Sequence, residues 1–453
     1  MSQILDLFKH AHDDQLAIAS DTFELTYKEL IKRISEFEMP SCGIKVGLIA
    51  DLNPTITICY FALLQKGKQV VLLNPKEPKN TRKNKLRELG ISHVFSCDEN
   101  GGLLFKTTSV KQKPHTDGIA TYLFTSGSSG GEKIVALSID NHILSAKGIV
   151  DHLDLTENSR YLITLPLSHV AGLSILYRCF MKGACALFTD SNKLYSSMSE
   201  KAITHVSLVS TQLTRLIKDW EKPIPSLKAI LLGGSRTERT ILEKAYHAKM
   251  PIYLSYGMSE MSSTITLKKI ESIEQLDTSG FILPYRGLKI SQDGEILTFG
   301  ETLFKGYLNK ATGLVEASKK AFPTKDIGSY SKDCGLIVKR RKDSMFISGG
   351  ENIHPEEIEQ HLYLLSGINN AVVTSIPNDE YGNITIAFIK TTKALNKDKL
   401  LAHLRKSLPG YKIPKHFLLW PEDLQAQMKV TKALRKKLSL YAYESLRKSE
   451  ISS

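Results

Sequence analysis

Along the first part of the chain the apolar positions switch between two periods. Lys45 to Ala50 and Gln69 to Leu73 are short aliphatic runs of strand character, and Pro54 to Gln65 between them reads as a helix. Thr26-Tyr27-Lys28-Glu29 has capping-box spacing, with Leu30, Ile31 and Ile34 at helical intervals behind it. The alternation persists to about residue 270, with strand-like segments near Tyr161, Ala184, His205, Ala229 and Ile252 and helical ones near Leu173, Tyr195, Gln212 and Ile241. Strands separated by helices need crossover connections, so the pattern predicts an α/β fold with layered, mainly parallel sheets. From Gly280 to Gly306 the pattern changes to glycines and short strand-like runs such as Gly294-Glu295-Ile296-Leu297, which predicts a β subdomain. Pro355 opens a helix with Glu356 and Glu357 in its first turn.

Composition narrows the class without naming a function. With 453 residues the chain is too long for one compact core and implies at least two domains. Hydrophobic content of 42% and charged content of 24% are those of an ordinary globular protein. The longest apolar run, around Ile56 to Leu64, is about half of what a membrane span needs. Met1 to Asp14 has no signal-peptide core, so a cytoplasmic location is expected. The six cysteines form no CxxC pair, which suits reduced thiols. The net charge of +13 is spread among acids through most of the chain and does not indicate nucleic acid. Self-association is left open.

One stretch carries the strongest chemistry. Thr125-Ser126-Gly127-Ser128-Ser129-Gly130-Gly131-Glu132-Lys133 follows the apolar run Ile119 to Phe124. Glycines let a backbone turn its N–H groups inward, hydroxyls add donors and a lysine supplies a point charge, so the run suits a polyphosphate. A flexible surface turn is the plain alternative. Gly127-x-Ser129-x-Gly131 also matches a nucleophile elbow, but the β-favouring Ile134-Val135-Ala136-Leu137 stands where that motif needs a helix. A Walker loop is excluded because Lys133 sits between Glu132 and Ile134.

Further on, Leu165-Pro166-Leu167-Ser168-His169-Val170-Ala171-Gly172 ends in a nearly wholly apolar helical run that contains Arg178. A buried arginine needs an anion, which can be a protein carboxylate or a substrate carboxylate, unless the side chain snorkels to water. Leu231-Leu232-Gly233-Gly234-Ser235 would let a flat base lie on the backbone, and Tyr256-Gly257-Met258-Ser259-Glu260 follows. Thr324-Lys325-Asp326-Ile327-Gly328 places a carboxylate that can accept two hydroxyls, or a turn residue. Arg340-Arg341-Lys342-Asp343 precedes the Ser348-Gly349-Gly350 loop, and Met428-Lys429-Val430-Thr431-Lys432 lies near the end.

Taken together, these motifs resemble those of the acyl-adenylate-forming superfamily of acyl-CoA synthetases, adenylation domains and luciferases. The resemblance implies a large N-terminal domain over 1–343 and a small mobile α/β C-terminal domain over 344–453, with a hinge at Asp343. It implies ATP, Mg²⁺ and CoA as cofactors or co-substrates, and a small-molecule carboxylate as partner. Thr125, Ser126, Gly127, Ser128, Ser129, Gly130 and Lys133 would hold phosphates. Gly233, Gly234, Tyr256, Gly257 and Ser259 would meet the base and α-phosphate, and Asp326 and Arg341 the ribose. Glu260 would bind the metal, His169 would stand beside the acyl group, and Lys429 would be the catalytic lysine. Two positions depart from the pattern, Glu132 where proline is usual and Met428 where glycine is usual.

Within the superfamily, PLSHVAGLSILYR, THVSLVSTQL, KAILLGGSRTE and YGMSEMSSTIT resemble the o-succinylbenzoate:CoA ligases of menaquinone synthesis most. That resemblance implies substrate contacts from Arg178, with Thr211, Ser263 and Thr264 adding hydrogen bonds. The alternatives are a ligase for another aryl or short-chain acid, a nucleotide-binding homologue without catalysis, and the GxSxG hydrolase.

Overall fold

A computed structural model of the chain describes residues 2–126, 132–189, 193–234, 237–318, 320–348, 351–378, 381–391, 396–422, 424 and 430–451. Two large sheets form the body of the protein. In the first, the strands Leu16–Ala19, Cys185–Leu187, Arg160–Leu162, His205–Leu208, Ala229–Leu232 and Ile252–Met258 run parallel side by side. In the second, Thr121–Ser126, Gln69–Leu73, Lys45–Ile49 and His93–Cys97 form a parallel centre, and antiparallel strands including Glu132–Leu137 and Gly306–Leu308 extend it.

The main core lies between these sheets. It joins Val46, Leu48, Val70 and Leu123 of one to Ile18, Tyr161 and Ala186 of the other through the helices Pro54–Gln65 and Val170–Lys182. Both helices are buried on nearly every side, which explains why their sequences lack a polar stripe. Asn53 caps the first by accepting from the Thr55 N–H, and Pro54 stands in its first turn. The second begins tightly against its own lead-in: a Cβ on Gly172 would stand 2.3 Å from the Pro166 carbonyl oxygen. The capping box of Thr26 and Glu29 is formed as its spacing predicts.

A four-stranded antiparallel sheet of Arg286–Ile290, Glu295–Gly300, Phe322–Ser331 and Gly335–Arg341 forms the β subdomain. The smaller C-terminal part packs the helix Pro355–Tyr363 and the helix Lys432–Ile451 against the strands Ile368–Asn378, Gly382–Thr391 and His416–Leu419. The last helix is rich in lysine and arginine at its start, yet one face of it is packed inside. Leu434, Leu438 and Ala442 enter the core, and buried Arg435 pairs with Glu359 and Glu356.

No described helix is long and apolar enough to cross a membrane. Two histidines are packed inside the body as neutral rings. His142 stacks on Tyr177 at 4.6 Å and meets Thr121 Oγ1 at 3.0 Å, and His205 Nε2 lies 2.7 Å from the Leu153 carbonyl. Burial pushes His142 down to about 3 and His205 down to about 4. The unfolded chain therefore takes up these protons first, near the ordinary histidine value of about 6.5. Stability is full above that value and declines as pH falls towards 4, by up to about 1.4 kcal/mol per pH unit for each ring. Thermal melts between pH 8 and 4.5 are expected to show a falling Tm below about pH 6.5, with a shallower slope in His142→Phe. An unchanged slope in that variant would contradict the assignment.

Candidate active site

Three groups of the sequence-predicted residues come together, each assembled from distant segments. The first is built on Tyr256 and Asp326. Tyr256 lies in the strand Ile252–Met258, two residues past its buried part and paired with Thr266, so the motif begins inside a sheet. Its Oη donates to Asp326 Oδ2 at 2.7 Å, while Arg341 Nη1 donates to Asp326 Oδ1 at 3.0 Å. Adjacent strands impose this, since Asp326 and Arg341 are register partners. Burial, and then the Asp326 charge, raise the Tyr256 hydroxyl well above its ordinary value, so it stays a donor.

The second group joins Lys133 to Glu260 through a residue that the motifs do not mark. Tyr307 donates from Oη to Glu260 Oε1 at 2.7 Å, and Lys133 Nζ lies 4.6 Å from the centre of the same ring. Tyr307 is brought there by strand pairing, opposite Val135 in the strand that starts at Glu132. Burial and the Glu260 carboxylate both raise its hydroxyl above the ordinary range. No local sequence signal marks it: Tyr307 sits in the three-residue strand Gly306–Leu308, and its place comes from that strand's pairing.

The third group surrounds Arg178. The side chain is 1% exposed, so it does not snorkel. Its Nη2 donates to Ser263 Oγ and Thr264 Oγ1, each at 3.2 Å, and Ser174 Oγ meets Ser263 Oγ at the same distance. Among the described residues no carboxylate pairs with Arg178, and its buried Nε has no hydrogen-bond partner. A second buried cation lies close by. Arg286 donates to Ser145 Oγ, and Ser145 Oγ donates in turn to the Ser262 carbonyl, next to Ser263. Burial first and the Arg178 charge second lower Arg286 to about 9. Both arginines thus mark an electropositive interior that an anion would complete.

The backbone at this point is strained to suit. Ser262 and Ser263 have φ of 55° and 108°, values that cost a non-glycine residue about 1–3 kcal/mol. Ser262 is held by Ser145 and by its own Oγ, which donates to the Thr302 carbonyl at 3.0 Å. Gly257 faces this bend, where a Cβ would stand 2.2 Å from the Ser263 carbonyl oxygen.

The remaining expected residues are placed separately. His169 is exposed at the N-terminus of the helix Val170–Lys182, and Thr211 is exposed in the first turn of Ser210–Asp219. Gly233 and Gly234 follow the strand Ala229–Leu232, Gly234 with φ 81°. Thr125 lies in the strand Thr121–Ser126 opposite Lys133, and Ser126 ends that strand. Ser259 starts a single turn that contains Glu260. Asp343 is in the turn Lys342–Ser344. Gly127, Ser128, Ser129, Gly130 and Lys429 lie outside the described residues.

Comparison with known proteins identifies the family. The AMP-binding enzyme model matches residues 8–308, and that of the AMP-binding enzyme C-terminal domain matches 357–427. The chain is 35% identical over 437 residues to the 2-succinylbenzoate–CoA ligase of Oceanobacillus iheyensis, covering 87% of this chain and 90% of that one. It is 31% identical over 420 residues to the enzyme of the same name from Bacillus pumilus, covering 86% of each. Among solved structures, the o-succinylbenzoate CoA synthetase of Bacillus subtilis in complex with the acyl-adenylate intermediate OSB-AMP superposes with a TM-score of 0.83 at 25% identity, over 96% of this chain and 97% of that one. Matched over most of its length by the family model, the chain belongs to the AMP-binding enzyme family.

Proposed function

We propose that the protein is an AMP-forming carboxylate:CoA ligase that converts o-succinylbenzoate to o-succinylbenzoyl-CoA through an acyl-adenylate, in menaquinone biosynthesis. Relatives named for this reaction support the class. The observation that carries the substrate is Arg178, a guanidinium buried without a protein carboxylate among the described residues. o-Succinylbenzoate has one carboxylate to activate and one that stays inert, and the inert one supplies the missing counter-ion. A site for ATP and CoA goes with a cytoplasmic location.

A carboxylate is a poor acyl donor because its leaving group would be oxide. Attack of its oxygen on the α-phosphorus of ATP expels pyrophosphate and leaves a mixed anhydride, from which a thiol then displaces AMP. Both reactants are anions, so the residues must offset charge before they meet. Lys133 and the backbone N–H groups of 126–131 would hold the β- and γ-phosphates, and Lys429 the reacting oxygens. Asp326, already oriented by Tyr256 and Arg341, would take the ribose hydroxyls.

Mg²⁺, when bound, supplies further charge neutralisation at the phosphates. Glu260 suits a metal shared with the nucleotide. Tyr307 occupies one of its carboxylate oxygens, and no cluster of three or more His, Cys, Asp or Glu side chains that could hold a metal occurs among the described residues. A hard cation shared between one carboxylate and phosphate oxygens needs no such cluster. We place the domain boundary at Asp343. Next to it, Ser344 Oγ donates to Glu356 Oε2 at 2.8 Å, and Glu356 Oε1 binds Arg435 at 3.0 Å. Rotation there would withdraw Lys429 after pyrophosphate leaves and bring the Ser348-Gly349-Gly350 segment to the thiol.

Two substitutions test these assignments. Arg178→Leu is expected to raise KM for o-succinylbenzoate about a hundredfold and to leave KM for ATP within about twofold; equal effects on both would contradict the role of Arg178. Tyr307→Phe keeps the ring beneath Lys133 and loses the bond to Glu260. It is expected to raise the Mg²⁺ concentration for half-maximal rate about tenfold with KM for the acid unchanged, and an unaltered Mg²⁺ dependence would remove Tyr307 from the site.

A further inference from the structure

Ser126 pairs with Glu132, and Thr125 with Lys133, where the strands Thr121–Ser126 and Glu132–Leu137 meet. Successive residues of a strand face opposite ways, and the contacts follow. Lys133 Nζ lies over Tyr307 on one face. On the other, Glu132 Oε1 is 2.7 Å from the Nζ of Lys85, which comes from the helix Lys79–Leu89. Lys85 is a buried lysine, and it is held three times over. Its ammonium also meets Glu77 Oε1 at 2.6 Å and lies 4.1 Å from the centre of the Phe124 ring.

Lysine is almost never buried unless it is paired, so this arrangement points to a role for the charge. Glu132 stands where the superfamily loop usually has proline, directly before the lysine assigned to the polyphosphate. A carboxylate there opposes a triphosphate. Two like charges about 10 Å apart at an effective dielectric constant of about 20 repel by an amount worth about tenfold in affinity.

We propose that Lys85 is a positioning residue for ATP: its ammonium, shared between Glu132 and Glu77, offsets the Glu132 carboxylate and pins the start of that strand, so that Lys133 on the opposite face meets the polyphosphate against less opposing negative charge. The inference rests on the ligase reading of Lys133 and Glu260. It adds a residue from a helix outside the motifs, and it explains how the chain tolerates glutamate in place of proline.

The test is a double-substitution cycle on the full-length protein, with Kd for Mg-ATP and the kinetic constants measured for wild type, Lys85→Met, Glu132→Gln and the pair together. Lys85→Met is expected to weaken ATP about tenfold at low ionic strength and less at high salt, with kcat little changed. Glu132→Gln should bind ATP at least as well as wild type, and the double variant should return to within about twofold of wild type, because losing Lys85 and Glu132 together leaves the net charge of their cluster with Glu77 unchanged. Wild-type affinity in Lys85→Met, or a double variant no better than Lys85→Met, would overturn the proposal. If circular dichroism shows that Lys85→Met does not fold, the double variant alone decides: near-wild-type affinity supports the proposal and a tenfold loss overturns it. Absence of ATP binding by the wild-type protein would instead overturn the ligase reading, and this inference with it.

Discussion

A guanidinium buried between two sheets with no acid beside it among the described residues is the constraint on which the rest of the site depends. Removing one ion from water costs several kcal/mol even after relaxation, and neutral hydroxyls repay only part of that. Ser263 and Thr264 give Arg178 two neutral hydrogen bonds, and its Nε has no partner among the described residues. The fold maintains this unfavourable arrangement with a helix packed on nearly every side, a strained bend at Ser262–Ser263 and a second arginine close by. An anion reaching Arg178 would convert the deficit into binding energy. A diacid suits such a cation better than a monoacid because it brings one carboxylate to react and one to stay.

The same economy of charge runs through the nucleotide side. Tyr256, Asp326 and Arg341 form one hydrogen-bonded unit, and Lys133, Tyr307 and Glu260 form another. Each unit joins the large sheets or the β subdomain to a segment far away in sequence. Orientation is therefore set mainly by strand register, with Glu260 carried by the turn Ser259–Met261 that follows a strand, and such framing fixes geometry before ligands arrive.

Local features were legible in the sequence because their causes are local. The Thr26–Glu29 capping box and the bounds of Pro54–Gln65 follow from residues within one or two turns. Arg178 was visible as a charge in an apolar helix, but the choice between salt bridge, snorkelling and substrate ligand needed the tertiary surroundings. Tyr307 went unmarked because its role depends on pairing between Gly306–Leu308 and the strand that begins at Glu132. Positive φ at Ser262 and Ser263 has no sequence signature, since glycine rather than serine announces such a backbone. Lys85 was equally silent: in a helix rich in lysine and arginine, nothing but the fold says which cation turns inward.

The central claim is that buried Arg178 selects an acid carrying a second carboxylate. Thioester formation with Mg-ATP and CoA, measured for o-succinylbenzoate beside benzoate, acetate and a medium-chain fatty acid, tests it most directly. The account predicts turnover with o-succinylbenzoate and little with the three monoacids. Comparable turnover with benzoate or the fatty acid would contradict it, leaving the two-step chemistry intact and Arg178 without its counter-ion.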